Sequence, residues 1–398
     1  MRYSILRYKH HSFAVLLPVF FLPLIVGIIN YVFDPLQIYR QQKCGQVRFW
    51  VNQRYQNAGK IRSYLSEGGY DSILVGNSVA DNFRPSMIAD YLGWKKTMKL
   101  TVDGGHASEQ AFTVEQALHC KNVKRVLWVI RAPNFSIPAK ERWHETEHTP
   151  FYLYTRSIID DGPYIFSLDT LKYSWTQLLG KDYPNNWQKD LESLNYWMSR
   201  KKIESLLQYN SDSNLKKLRG KKNHKGCRFE VDPKERFPAA DYNILRLIRE
   251  HPQVEFIIAV APMTRQSLAS RSHNSLSRYF GVQKYLVIHT ANLSNTRVYG
   301  FENDDIIVAN LANFRDPIHY HSGVNKLMLY KMSHDQNRLT LKNIDKYISA
   351  ISKKLCVYTV QCDFSIMLPL ALQDERTWLY RLRHDVDSDT GIVGKASF

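Results

Sequence analysis

The chain has 398 residues, enough for one large domain or two modest ones, and its 44% apolar and 23% charged content excludes both a disordered tail and a multi-span membrane protein. Its 54 basic and 37 acidic side chains leave a net charge of +17. That balance points to an acidic partner (nucleic acid, anionic lipid headgroups or an anionic glycan) without choosing among them.

From Ser12 to Phe33 the chain runs 22 residues without a charge, more than the roughly 20 needed to cross about 30 Å of hydrocarbon as a helix. The run is too long for a signal-peptide core, and Asp34-Pro35-Leu36-Gln37 follows it in place of a small-residue cleavage site. It therefore reads as an uncleaved, single-pass anchor. Arg2, Arg7 and Lys9 precede it and Arg40, Lys43 and Arg48 follow it, so local charge barely sets orientation. A short basic N-tail and a large body that translocates regardless of charge favour a cytoplasmic tail (residues 1–11), an inner-membrane anchor (12–33) and a body facing the periplasm or outside. Residues 34–70 form a juxtamembrane segment.

Beyond the anchor, apolar runs alternate with helical patterns. Strands are expected at Ser72 to Gly76, Thr97 to Val102, Val123 to Ile130, Val254 to Ala261 and Arg297 to Phe301. Helices are expected at Ser86 to Leu92, Ser108 to His119, Ala240 to Glu250, Leu276 to Asn292 and Ser322 to Met332. This alternation predicts an α/β body with a parallel sheet covered by helices on both faces, spanning residues 71–362. Residues 132–239 read as an aromatic-rich helical insertion and 363–398 as a C-terminal tail. Inside the insertion, Lys216 to Arg228 carries seven basic residues in thirteen. This is a solvated loop or a surface for anionic headgroups or an acidic polymer; no nucleic-acid motif accompanies it. The five cysteines show no metal spacing, and Cys356 and Cys362 either close a small loop in an oxidising compartment or stay unpaired.

The residues that carry chemistry lie where strands end. In ILVGNSVADNFRPS, Ser78 follows the first strand at the turn into a helix, as a nucleophile exposed at the sheet's carboxyl edge or as a helix cap. In LTVDGGHASEQ, Gly104 and Gly105 follow the second strand and let backbone approach a ligand, or simply form a turn. In NFRDPIHYHSGVN, Asp316 and His319 share a loop ahead of a helix that Ser322 is placed to cap, and His321 is a rival base. A serine nucleophile needs a neutral imidazole to accept its proton, and the imidazole needs an acceptor at its far nitrogen. An Asp-Pro turn with a surface histidine is the structural alternative.

These motifs, in this order, resemble the SGNH or GDSL-like hydrolase superfamily. Within it, the anchor and the DPIHYHSGVN segment are similar to membrane-anchored acyl-transfer proteins of teichoic-acid and exopolysaccharide assembly. The resemblance implies a flavodoxin-like sheet, Ser78 as nucleophile, His319 as base, Asp316 as its partner, and Gly105 or Gly104 as oxyanion donor. The third block, VLWVIRAPNFS, lacks the family's Gly-x-Asn-Asp, so Asn134 stands in for the oxyanion asparagine, or Arg131 does, or backbone N–H groups serve alone. The expected function is a serine acyl-esterase or O-acyltransferase acting on an ester of a cell-surface or exported polysaccharide. It would need no metal or cofactor, with the inner membrane, an acylated glycan and a membrane-bound acyltransferase as partners and no nucleic acid. The opposing expectation is a catalytically inactive scaffold holding an anionic glycan in an export complex. A glycosyltransferase is weaker, since its only Asp-x-Asp candidates, Asp385, Asp387 and Asp389, fall in the tail.

Overall fold

The computed structural model describes residues 19, 21–41, 52–136, 149–179, 229–310 and 313–357. The basic run at 216–228, Cys362 and the tail from 363 lie outside the described residues, as do residues 12–18 and 20 of the expected anchor. Among the described residues no helix is long and apolar enough to cross a membrane. The remaining stretch of that segment is helical from 21 to 33 (α1).

The body is a six-stranded sheet: β1 (Ser72–Gly76), β2 (Thr97–Thr101), β3 (Arg125–Ile130), β4 (Glu255–Val260), β5 (Thr296–Gly300) and β6 (Arg338–Leu339), in the order β2-β1-β3-β4-β5-β6. The first five are parallel and the two-residue β6 joins β5 antiparallel. β1, β3 and β4 read as nearly unbroken apolar runs because both faces are covered, while β2 carries Lys99 and β5 Arg297, and alternate residues enter different cores. Ile73, Val75, Val126, Trp128, Ile258 and Val260 face one, with Ala111, Val114 and Leu286 from the helices. Leu74, Leu127, Val129, Ile257 and Ala259 face the other, with Ile88, Val324 and Met328. Trp128, fully buried, satisfies its indole N–H on Gln110 Oε1 at 2.9 Å.

The helices that cover the sheet and frame its carboxyl edge are α2 (Gln53–Gly59), continued by a π-helical stretch Lys60–Leu65, then α3 (Pro85–Leu92) and α4 (Ala107–Leu118). The described part of the expected insertion holds α5 (Gly162–Ile165) and α6 (Leu168–Leu178). Further on come α7 (Arg246–Glu250), α8 (Arg265–Ala269), α9 (His273–Thr290), α10 (Asp305–Val308), α11 (Ser322–Ser333) and α12 (Ile344–Cys356). The strand order reverses direction between β1 and β3, which places the ligand-binding crevice of such a sheet at the carboxyl end of β1.

Candidate functional site

Gly76 ends β1 where no side chain fits: a Cβ there would lie 2.6 Å from Val129 O and 2.6 Å from Ala80 Cβ. The chain then turns instead of entering a helix. Asn77 O accepts from Ala80 N at 2.8 Å, Asn77 Oδ1 accepts from Val79 N at 3.3 Å, and α3 begins only at Pro85 with Arg84 as its N-cap. Ser78 is therefore not a helix cap, and the helix expected at Ser86 to Leu92 follows only after this turn. The turn is braced from below, where the buried Asp81 carboxylate accepts from Gln53 Nε2 at 3.0 and 3.1 Å and from the Thr101 hydroxyl.

A second loop delivers the imidazole. Residues 313–321 fold back on themselves through a Phe314–Tyr320 bridge, with Arg315 N donating to His319 O at 2.8 Å and His321 N to Asn313 O at 3.2 Å. Thr264 N, after β4, donates to Pro317 O at 3.0 Å, and Asn82 Nδ2 in the serine turn donates to Tyr320 O at 3.3 Å, so the two loops are tied together. The outcome is a continuous chain of three side chains. Ser78 Oγ lies 2.8 Å from His319 Nε2, and His319 Nδ1 lies 2.7 Å from Asp316 Oδ2. Asp316 Oδ1 accepts from the backbone N–H of Ile318 and of His319, each at 3.0 Å.

Burial alone would raise the Asp316 carboxyl, but hydrogen bonds from the His319 ring and from the Ile318 and His319 amides outweigh it and hold the group below the usual carboxylate range. An ionised Asp316 accepts a hydrogen bond from the Nδ1–H of His319, which keeps that proton on Nδ1 and leaves the Nε2 lone pair facing the serine hydroxyl. His321, the rival base, has a different task. Its Nδ1 accepts from Gly323 N at 3.0 Å, making His321, not Ser322, the N-cap of α11. It is 1% exposed, and burial pushes its imidazole down to about 3.

The glycine pair divides. Gly105 spends its N–H on Val102 O at 2.8 Å, closing the turn after β2, and is thus not a free oxyanion donor. Gly104 adopts φ +67°, a left-handed conformation glycine takes without penalty, and its N–H meets no acceptor among the described residues; neither does that of Ser78. Asn134, in the 3-10 turn Ala132–Phe135 after β3, donates from Nδ2 to Gly105 O at 3.3 Å, so the ends of β2 and β3 meet.

Arg131 borders a narrow cleft with Val79, Pro133, Met263, Tyr279 and Ile318, between the serine turn and the histidine loop. Burial lowers its guanidinium, which senses Tyr279, Arg271 and Asp316. A separate cavity of about 640 Å³, lined by Asn303, Lys331, Arg338, Lys346 and Tyr347 among others, touches none of the three side chains. Among the described residues no cluster of three His, Cys, Asp or Glu could hold a metal ion.

Sequence reasoning misses the charged network behind the serine turn. Lys99 and Lys60 are buried, Lys99 Nζ donates to Asp81 O and Lys60 Nζ to Lys99 O at 3.0 Å, while Asp103 N donates to Gln53 Oε1. Burial, the charge of Asp81 and a hydrogen bond with it push the Asp103 carboxyl up to about 8. A lysine in the middle of an apolar strand, at Lys99, is the available signal. Compared with known proteins, the chain matches no family model and no curated relative.

Proposed function

We propose that the chain is a membrane-anchored, SGNH-like serine acyl-esterase or O-acyltransferase acting on an ester of a cell-surface or exported polysaccharide. The observation that carries this reading is the hydrogen-bonded series Ser78–His319–Asp316 at the carboxyl edge of the sheet, at 2.8 and 2.7 Å. The Ser78 hydroxyl attacks the acyl carbonyl carbon while its proton passes to His319 Nε2, and Asp316 stabilises the imidazolium at Nδ1. When the tetrahedral intermediate collapses, His319 returns the proton to the departing alkoxide and the acyl group stays on Ser78. A sugar hydroxyl, or water, then gives its proton to His319 and takes the acyl group, regenerating the hydroxyl.

The N–H groups of Ser78 and Gly104 and the Asn134 amide supply the negative oxygen's donors. The anchor, residues 12–33, is part of this proposal. It is supported by the charge-free run and by the exposed apolar side chains of α1, and it selects polymeric or lipid-linked substrates in the periplasm over free metabolites. A membrane-bound acyltransferase is the matching acyl source.

Nitrophenolate release from 4-nitrophenyl acetate by the full chain in detergent tests the chemistry. Ser78→Ala and His319→Ala each lower the rate on the order of 1000-fold or more. Equal rates for wild type and both variants would overturn the reading.

A further inference from the structure

Two helices of the structure are patterned inside out. In α1, Val26 and Asn30 are buried, whereas Leu22, Ile25, Ile28 and Val32 are exposed. The buried face rests on residues 165–174. Asn30 Nδ2 donates to Ile165 O at 2.8 Å and Ser167 O at 2.9 Å, and the Ser174 hydroxyl donates to Asn30 Oδ1 at 3.0 Å. At Gly27 the contact is so close that a Cβ would lie 2.7 Å from the Phe166 ring.

The partner helix α6 repeats the inversion. Its polar Thr170 and Ser174 are buried, while Leu168, Trp175 and Leu178, at spacings of seven and three, are 72%, 52% and 51% exposed. Ile159, at 85%, and Phe166, at 55%, are exposed in the segment just before this helix. A helix on a water-facing surface shows the reverse arrangement, apolar side inward. Elsewhere in the described residues, exposed large apolar side chains are single and scattered, at Tyr242, Ile288, Leu341 and Val357.

We infer that residues 158–179 form a second, interfacial membrane contact, lying in the lipid headgroup and acyl boundary beside α1. The occupant of the apolar row is lipid. The row lies on the helix that packs against α1, that helix buries the polar Thr170 and Ser174 where it meets protein, and its exposed charged residues are Asp169 and Lys172, the latter a cation able to extend its ammonium to the headgroups. This inference rests on the reading of residues 12–33 as a membrane anchor. It adds that the body is held to the bilayer at two places, so that it is oriented as well as tethered.

Photocrosslinking separates the two claims. The full chain is reconstituted in vesicles of phosphatidylcholine and phosphatidylglycerol with p-benzoylphenylalanine replacing Ile25, Leu168, Trp175 or Leu341, one at a time. Irradiation is expected to give lipid adducts at Ile25, Leu168 and Trp175 and none at Leu341. Adducts at Ile25 with none at Leu168 and Trp175, or crosslinks from these two to protein instead of lipid, would overturn the inference and leave the anchor standing. No lipid adduct at any of the four positions would overturn both.

Discussion

Asp316 grips His319 at two points, through the ring Nδ1 at 2.7 Å and the backbone N–H at 3.0 Å, each with a different carboxylate oxygen. The backbone contact sets where the residue stands and the ring contact sets its tautomer. Asp316→Asn keeps an acceptor for one of these but removes the charge that favours a proton on Nδ1. Nitrophenyl acetate turnover is expected to fall on the order of 10³- to 10⁴-fold with thermal unfolding little changed. Loss of activity together with collapse of the fold would instead mark Asp316 as a structural turn residue.

His321 separates fold from chemistry. As the buried N-cap of α11 it accepts from Gly323 N, and its folded value near 3 lies below the ordinary 6.5. A depressed imidazole contributes stability that is present above 6.5 and is lost as pH falls toward 3, because the unfolded chain takes up the proton first. His321→Asn, which preserves a capping oxygen, is expected to flatten urea-derived stability across that window, while His321→Ala costs about 1 kcal/mol of stability. Turnover at neutral pH stays within a few-fold of wild type in both, as a base at His321 would not allow.

Gly76 fixes the direction of the serine turn. A methyl there meets a backbone carbonyl and the Ala80 Cβ, both at 2.6 Å, and neither can swing aside. Gly76→Ala is expected to lower stability by about 1–3 kcal/mol, in line with overpacking elsewhere. It should also reduce turnover more than stability alone explains, since Ser78 is displaced from His319. Full activity in Gly76→Ala would show that the turn tolerates the shift.

The carboxyl pair behind the turn predicts a pH dependence of opposite sign. Asp103, held up to about 8 from an ordinary 3.8, keeps its proton in the fold while the unfolded chain releases it, so stability falls as pH rises from about 4 toward 8. Lys60, buried and lowered to about 7 from 10.5, adds the reverse slope above 7. Asp103→Asn retains a donor for Asp81 and is expected to gain over wild type steadily between pH 4 and 7 in denaturant titrations. A constant difference across that range would show Asp103 to be ionised in the fold.

The five long strands fall within two residues of where apolar runs place them, because strands covered on both faces leave a continuous signal. The two-residue β6 leaves no such run, and α12 is absent from the expected helices although Ile344, Ile348, Ile351 and Leu355 stand at helical spacing. Ser78, Asp316 and His319 are legible as residue types at strand ends, whereas the contact between Ser78 and His319 spans 241 positions and is made only by the sheet. The helix expected at Ser86 to Leu92 is α3, whereas the course of the turn between Ser78 and that helix depends on Asp81 meeting Gln53 and Thr101 from other elements. The Gly105 amide departs from its expected role for a local reason, a hydrogen bond to Val102 O that composition does not reveal.

The most direct test of the proposed chemistry is the site of covalent capture by a fluorophosphonate, which reacts with a serine only where a neighbouring base activates it. Peptide mass spectrometry on the intact wild-type chain is expected to find one phosphonyl adduct, on Ser78, and to find it missing in His319→Ala. A well-folded wild type that takes up no phosphonate, or takes it up on another serine, would contradict the account.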